Sequence, residues 1–311
     1  MNVAQFLKLS NPVNYDFSND GANDLYHELN GYDKFFAYMA VAKAYTQQEE
    51  NIMKFGAEYS KLCKQLYRNI PDPDSASKLL QEIYSLLWDN NGLQYCKDEN
   101  GIKGETMNSQ NTTIGVLYEL IESEADKRER CAVKVGRGVQ KVSIRYILSR
   151  YSKEKERHIK LFDEIVGMRN FMETYHTLGN FIPVPVGCNT PRGTGRLKDY
   201  WDLTLKVIYE YYEKGMDNIK DIAGDEKAEV YKRWLDSFGN WQEFVKKNYM
   251  DDFVKITLFK KYGEPKELWD GHFTGTVLPK NKKQVEQYYS RASQWITARG
   301  QRMLVKLQEK L

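Results

Sequence analysis

Residues 175–195 read YHTLGNFIPVPVGCNTPRGTG and interrupt a chain whose other segments mostly follow a polar, helical pattern. Pro183 and Pro185 hold φ at about −65° on alternate residues and push the residues before them to extended backbone. Proline cannot donate to a central ladder, so the run is predicted to be an edge strand or an extended connector. Gly179 is predicted to end the preceding helix as its C′ residue, and Gly187 to permit a tight turn.

Outside this stretch, apolar residues recur at spacings of three and four, which predicts a mainly α fold with a small β-element. Two Asn-Gly pairs, at 91–92 and 100–101, favour a short hairpin between helices. Residues 260–283 are predicted to form a long loop around Trp269. The predicted helices cover residues 33–66, 77–88, 113–123, 133–172, 198–214, 225–249 and 283–309, with 133–172 either continuous or broken near Gly136 and Gly138.

The 311 residues are predicted to form one integrated domain with two regions. Residues 1–126 are an N-terminal helical region with the small hairpin, and residues 127–311 carry a basic helix, the quoted loop and the C-terminal helices. The chain has 22 Tyr, 13 Phe and 6 Trp, so its core is predicted to be built from aromatic rings. Most of the tryptophans are assigned to that core rather than to base stacking.

Composition excludes several classes of function. No window approaches 18 apolar residues and the start lacks a signal-peptide pattern, so we expect a cytoplasmic protein with no membrane partner. The four cysteines form no CxxC pair and the histidines number four, so we expect free thiols, no metal and no cofactor.

Charge is segregated along the chain. Residues 127–160 hold twelve basic and three acidic side chains, a local charge of +9 that leaves −6 for the remainder. Within them Lys134, Arg137, Lys141 and Arg145 form one stripe of a helix, which is typical of a surface that follows phosphates. The alternative is a solvated face paired with the acidic remainder of the chain.

Two histidine patterns resemble nucleases. Arg169 and His176 fit the R-x(4–6)-H pattern of HEPN ribonucleases, in which His acts as a base toward a 2′-hydroxyl and Arg stabilises the phosphate. The structural alternative is a Tyr-His pair that packs at a helix end.

A second pattern resembles the HNH nucleases through His158-Ile159, Asn180 and Cys188-Asn189. Only its second half matches, because Arg157 stands where the metal chemistry needs an acid. A degenerate remnant and a coincidence both remain open interpretations of these residues.

The second half of the quoted stretch is a candidate anion site. A basic, glycine-bearing loop that enters a helix can bind an anion through backbone amides and through Arg192 and Arg196. The structural alternative is that Arg192 bonds to backbone carbonyls. His272, in WDGHF, is a solitary loop histidine, for which a structural role is favoured.

The runs YHTLGNFIPVP, CNTPRG and KDYWDLTLKVI resemble a family of uncharacterised bacterial proteins with a Y-T-I-G-G-x-x-x-F-P, N-x-x-R-G and D-R-x-D-L-T-L-E-x-I pattern. The stretches IYSLLW, ETMNSQNTT and ITARGQRM extend the resemblance over residues 80 to 303. It implies one integrated domain and supplies no activity. The matching positions are Asn189, Arg192, Gly193, Asp202 and Thr204, which makes them site candidates. Asp202, in the first turn of its helix, is predicted to pair with Arg192.

Together these features predict a bacterial or phage protein that binds nucleic acid, RNA or DNA, or a nucleotide-like anion. The basic helix and a loop site of Asn189, Arg192, Gly193, Arg196 and Asp202 would carry the binding, in a setting of phage defence or counter-defence. Two alternatives stay open. One is a non-enzymatic module that binds an acidic protein, and the other is a metal-independent HEPN-like RNase that uses Arg169 and His176.

Overall fold

The computed structural model describes residues 1–17, 78–89, 92–96, 105–107, 165–189, 200–275 and 279–311. These residues form one helix-rich globular unit with two small sheets, which confirms the predicted mainly α fold with a small β-element. The predicted helices at 33–66 and 113–123 lie outside them. The α-helices described are α1 (Val3–Phe6), α2 (Lys78–Leu87), α3 (Met168–Thr174), α4 (Trp201–Lys214), α5 (Lys220–Ala223), α6 (Ala228–Asp236), α7 (Trp241–Lys247) and α8 (Lys282–Lys310).

Helix α8 organises the core, and its extent confirms the helix predicted at 283–309. Asn281 caps its first turn, with Oδ1 accepting from the Gln284 amide at 3.0 Å. Its buried positions recur at spacings of three and four, as expected of an amphipathic helix. Through that face α8 packs against α2, α3 and the 3-10 turn Leu178–Asn180. These buried positions include Val285, Tyr288, Tyr289, Ala292, Ile296, Met303 and Leu307.

The proline run of the quoted stretch is a short strand, β2 (Ile182–Val184). It pairs antiparallel with β1 (Glu105–Met107), with Thr106 opposite Pro183. In the part of the chain that the structure describes, β2 has a strand on one side alone, which agrees with the predicted edge strand. The predicted β-element near residue 100 is therefore present, but its described partner is a strand almost 80 residues further along the chain.

Gly179 does not end a helix as predicted. Helix α3 stops at Thr174 with Tyr175 as its C-cap, and Gly179 lies in the 3-10 turn that follows. An ideal Cβ on Gly179 would lie 1.8 Å from the Ile296 carbonyl oxygen, and one on Gly300 would lie 3.3 Å from the Gly179 amide nitrogen. The glycines are needed because the turn crosses α8 backbone against backbone.

The predicted helix at 133–172 does not run unbroken to its end. Helix α3 begins at Met168, after Gly167 at φ +83°, a left-handed conformation that interrupts a helix. A Cβ on Gly167 would lie 2.5 Å from Ser290 Oγ, so the break also lets the chain pack closely on α8. Residues 133–164 lie outside the described part.

The C-terminal half differs from the prediction in two places. The helix predicted at 225–249 is two helices, α6 and α7, because Gly239 takes φ +88° and Asn240 caps α7 by accepting from the Glu243 amide at 3.0 Å. The predicted loop at 260–283 contains part of a second hairpin. Its strands are β3 (Val254–Ile256) and β4 (Tyr262–Pro265), paired antiparallel.

The core is aromatic, as predicted from composition. Five tryptophans are buried and Trp295 is half-buried at the surface. Among the described residues, no helix combines the length and the apolarity that crossing a bilayer requires. The buried tryptophans are Trp88, Trp201, Trp234, Trp241 and Trp269.

Candidate functional site

The structure describes five of the predicted site residues: Arg169, His176, Asn189, Asp202 and Thr204. The other predicted positions lie outside the described residues, so their placement stays a prediction. They are Arg192, Gly193 and Arg196 of the loop and Lys134, Arg137, Lys141 and Arg145 of the basic segment.

The carbonyls of the quoted stretch are held by Arg299, a fully buried guanidinium of α8. Its Nη1 donates to the oxygens of Gly179 and Phe181 at 2.8 and 3.0 Å, Nε to that of Asn248 at 2.7 Å, and Nη2 to the Tyr84 hydroxyl at 2.6 Å. Burial lowers the pKa of Arg299, and the neighbouring Tyr84 opposes that shift. Carbonyl binding was the structural alternative considered for Arg192, and the sequence did not indicate Arg299.

A second buried group joins the quoted stretch to α4. Asn180 donates from Nδ2 to the Tyr175 oxygen at 2.6 Å and accepts at Oδ1 from Trp201 Nε1 at 2.9 Å. Residues 190–199 therefore connect two fixed points, because Asn189 on one side and Tyr200 on the other are both buried. The backbone on each side of the predicted anion loop is held by the core.

Asp202 is the centre of a buried polar cluster at the start of α4. Its Oδ1 accepts from the Leu203 amide at 2.9 Å, and its Oδ2 accepts from the Leu268 amide at 2.8 Å and from His272 Nδ1 at 2.6 Å. Both side chains of the Asp202–His272 pair are 0% exposed. The carboxylate thus fixes the WDGHF loop to α4, whereas the predicted partner Arg192 lies outside the described residues.

The two ring nitrogens of His272 differ in their surroundings. Its ring stacks on Trp269 at 3.5 Å between centroids and meets the edge of Tyr200 at 4.8 Å. In the tautomer whose Nδ1 donates to the Asp202 carboxylate, Nε2 is the hydrogen-bond acceptor of the ring. Nε2 is buried, without a hydrogen-bond partner among the described residues. The sequence could not find this pair, since its members are 70 residues apart.

The Arg169 and His176 side chains occupy different environments. Arg169 is on the exposed face of α3, whereas His176 is 3% exposed. The helix ends at Thr174, so the two-turn spacing that would align the side chains is lost. His176 packs on Tyr175 at 3.8 Å and places Nδ1 3.6 Å from Asp16 Oδ1. This geometry favours the packing interpretation of the Tyr-His pair.

The HNH-like residues that the structure describes belong to the core. Asn180 makes the two buried hydrogen bonds given above, and Cys188 and Cys96 are both buried. Asn189 is buried, and His158 lies outside the described residues. Within the described ranges, no group of three or more His, Cys, Asp or Glu side chains is placed to hold a metal ion.

A surface groove of about 410 Å³ lies beside the Asp202 cluster, between the β3–β4 hairpin and α8. It is lined by Lys255, Lys266, Glu267, Phe273, Thr274, Arg291 and Trp295. The Glu267 carboxylate is engaged by backbone, because it accepts from the Phe273 amide at 2.6 Å and from the Gly271 amide at 3.1 Å. The lining therefore contains three cations and two aromatic rings. Sequence reasoning missed it, because the residues come from three separate segments.

Comparison with known proteins places the whole site in one family. A family model described as a family of unknown function, DUF6994, matches residues 59–303. The chain belongs to the DUF6994 family. Searches of curated proteins and of solved structures gave no match.

The DUF6994 match confirms the predicted resemblance to an uncharacterised family. It contains the quoted stretch, the Asp202–His272 pair, Arg299 and the β3–β4 hairpin. It leaves out α1 and the end of α8, whose residues nevertheless contribute to the core. Membership in DUF6994 assigns no reaction.

Proposed function

We propose that the chain binds nucleic acid or a nucleotide-like anion, and that the groove between the β3–β4 hairpin and α8 is part of the binding surface. The observation that carries the proposal is the groove lining, with Lys255, Lys266 and Arg291 beside the rings of Phe273 and Trp295. Cations bind phosphate, and aromatic rings stack on bases whatever the base sequence.

The cations of the groove are held in place by neighbouring groups. Arg291 donates from Nη1 to the Glu267 carbonyl at 3.0 Å and from Nη2 to the exposed Asp270 at 2.7 Å, which fixes its fork at the rim. Lys266 donates to the Asp252 carbonyl at 2.9 Å, with Nζ 6.0 Å from the Trp295 ring centre. Such preordering lowers the entropy that a bound anion would cost.

The basic segment and the Asn/Arg/Gly loop extend this proposal. The local charge of +9 over residues 127–160 supplies the stripe of Lys134, Arg137, Lys141 and Arg145. Asn189, Arg192, Gly193 and Arg196 supply the loop. Each phosphate that these cations neutralise releases a counterion, so binding that uses them depends steeply on salt.

The test is a fluorescence-anisotropy titration with short single- and double-stranded RNA and DNA at low and at physiological salt. We expect salt-sensitive binding that is weakened in a Lys134/Arg137/Lys141→Glu variant and in a Lys255/Lys266→Gln variant. Lys306→Gln is the matched control, because Lys306 is a half-buried α8 lysine that pairs with Glu309 outside the groove. Circular dichroism checks that each variant keeps its fold.

Absence of binding at low salt would overturn the proposal and favour the alternative, a module that binds an acidic protein. The RNA from the same tubes is run on a gel. If the wild type cleaves the RNA and both His176→Ala and Arg169→Ala abolish the cleavage while remaining folded, the HEPN-like RNase would be favoured instead.

The cellular setting belongs to the same proposal. A nucleic-acid-binding protein of this kind would work in the bacterial cytoplasm, in phage defence or counter-defence. Plaque formation on cells that produce the wild type or the Lys134/Arg137/Lys141→Glu variant tests this. Equal plaque numbers with both, across several phages, would contradict a role in defence.

A further inference from the structure

The apex of the β3–β4 hairpin exposes its largest apolar side chains. Leu258 is 99% exposed, Phe259 is 87% exposed and Ile256 is 54% exposed. Contiguous apolar residues at full exposure are uncommon on soluble proteins and mark surfaces that bind something. The described residues place no other pair of adjacent, large apolar side chains in such an exposed position.

The apex is ordered by its own hydrogen bonds. The Lys260 amide donates to the Thr257 oxygen and the Thr257 amide to the Lys261 oxygen, both at 2.9 Å, and the Lys261 amide donates to Thr257 Oγ1 at 3.1 Å. Lys260 takes φ +58°, which closes the turn. The apolar pair is therefore presented on a fixed turn, and little conformational entropy would be lost on binding.

The base of the hairpin is fastened to α7. Gln242 donates from Nε2 to the Tyr262 oxygen and accepts at Oε1 from the Tyr262 amide, both at 2.7 Å. Trp241 Nε1 donates to the Gly263 oxygen at 2.9 Å. These bonds orient the hairpin relative to the groove, whose lining includes Lys255 of β3.

The charge around the apex selects an anionic occupant. Residues 255–261 read KITLFKK, with three lysines and no acid. The one carboxylate opposite, Glu264, pairs with Lys255 at 2.6 Å. Lys255 lowers the pKa of Glu264, and Lys214 and Lys206 of α4 contribute to the same effect, so further cations lie near the hairpin. Phosphate groups complement this field.

We propose that Leu258 and Phe259 form an apolar wedge that enters between stacked bases of a nucleic-acid duplex, while Lys255, Lys260 and Lys261 contact the flanking phosphates. Leu and Phe are side chains that nucleic-acid-binding proteins insert at base steps, and the unstacking is offset by backbone contacts. The inference rests on the proposed function and adds how the duplex is engaged. Lys255 connects the two, because it both flanks the wedge and lines the groove.

The test uses a DNA duplex with 2-aminopurine at its centre, whose fluorescence rises when the base unstacks, and follows anisotropy in the same samples. We expect the wild type to bind and to raise the fluorescence. Leu258/Phe259→Ser should lose the fluorescence rise and about 5- to 150-fold in affinity, the range for loss of a stacking contact. Lys260/Lys261→Gln should mainly reduce the salt dependence of binding. Val305→Ser is the control, since Val305 is 56% exposed on α8.

The outcomes separate the wedge from the proposed function. Wild-type binding without a fluorescence rise, or an unchanged rise in Leu258/Phe259→Ser, would overturn the wedge and leave nucleic-acid binding standing. No binding by the wild type would overturn both. Sedimentation with vesicles of phosphatidylcholine and phosphatidylglycerol covers the other anionic occupant. If vesicle binding is lost in Leu258/Phe259→Ser and no duplex is bound, the apex is a membrane contact and the wedge is overturned.

Discussion

Asp202 is a buried carboxylate that stabilises the fold by accepting hydrogen bonds from buried donors. In Asp202→Ala, the Leu268 amide and His272 Nδ1 would lose their acceptor inside the core. An unsatisfied buried donor costs about 1–3 kcal/mol, so we expect a loss of about 3 kcal/mol in the free energy of unfolding, measured with urea.

The control for that variant is Asp217→Ala. Asp217 pairs with Lys232 on the exposed surface, where an ion pair contributes little to stability. Equal urea midpoints for the two variants would contradict a central structural role for Asp202.

Arg299 depends on the shape of its guanidinium. A lysine in its place has one nitrogen, which cannot reach the carbonyls of Asn248, Gly179 and Phe181 together with the Tyr84 hydroxyl. We expect Arg299→Lys to lower the free energy of unfolding by about 3–5 kcal/mol, the range for disrupting a buried charge network.

The matched exchange for Arg299→Lys is Arg233→Lys, at an exposed position of α6. It should leave the unfolding midpoint nearly unchanged. If both exchanges were tolerated equally, the fork geometry of Arg299 would not matter to the fold.

At the scale of elements, the crossing of the 3-10 turn Leu178–Asn180 over α8 is the tightest contact. Gly179→Ala would place a Cβ 1.8 Å from the Ile296 oxygen, and both sides of the clash are backbone. We expect the free energy of unfolding to fall by about 3 kcal/mol or more, because neither element can shift without moving the core.

Gly215→Ala separates this clash from the general cost of losing a glycine. Gly215 takes φ +64° with nothing within 4 Å of its ideal Cβ, so only backbone strain opposes the alanine. That variant should lose about 1 kcal/mol. A similar loss in both would argue against the close crossing.

The hairpin carries a pH-dependent contribution through Tyr262. Burial, together with its hydrogen bond to Asp251, raises the pKa of Tyr262 to about 12. The unfolded phenol has a pKa of about 10, so the stabilisation is complete below about pH 10 and is lost as pH rises through about 12. Tyr262→Phe should therefore lose stability less steeply than wild type between about pH 9 and pH 11.5 in urea unfolding. Parallel pH profiles would contradict this assignment.

At the scale of the whole molecule, the first residues belong to the core although the family match begins at residue 59. Phe6 is 0% exposed, and its ring centroid lies 5.6 Å from that of Tyr15 and 5.9 Å from that of Phe17. The Phe17 ring in turn packs against the Phe181 ring. We expect Phe6→Ala to cost about 3–5 kcal/mol in thermal or urea unfolding.

Leu9→Ala serves as the reference for Phe6→Ala, because Leu9 is 38% exposed in the same segment. It should have little effect. A negligible effect of Phe6→Ala as well would mean that residues 1–17 are an attachment to the folded unit and not a part of its core.

Two mistakes of the sequence analysis share a physical cause. The β3–β4 hairpin was missed because its turn contains no Asn-Gly or Gly, and Lys260 takes the left-handed conformation instead. Gly179 was assigned to a helix end because the sequence does not distinguish a glycine that ends a helix from one that lets two backbones approach closely. In both cases a neighbouring helix decides the structure. Helix α7 forms hydrogen bonds with the hairpin, and α8 approaches Gly179 too closely for any side chain.

The sequence alone determined the helical class, the helix of residues 283–309, the extended proline run and the aromatic core, because each follows from spacing or composition within a short segment. The tertiary structure decided the rest. It joined Tyr84 to Arg299 across 215 residues and Asp202 to His272 across 70, and it assembled the cationic groove from three segments. Periodicity specifies which face of an element is buried, whereas the side chains that meet across that face depend on how the elements pack.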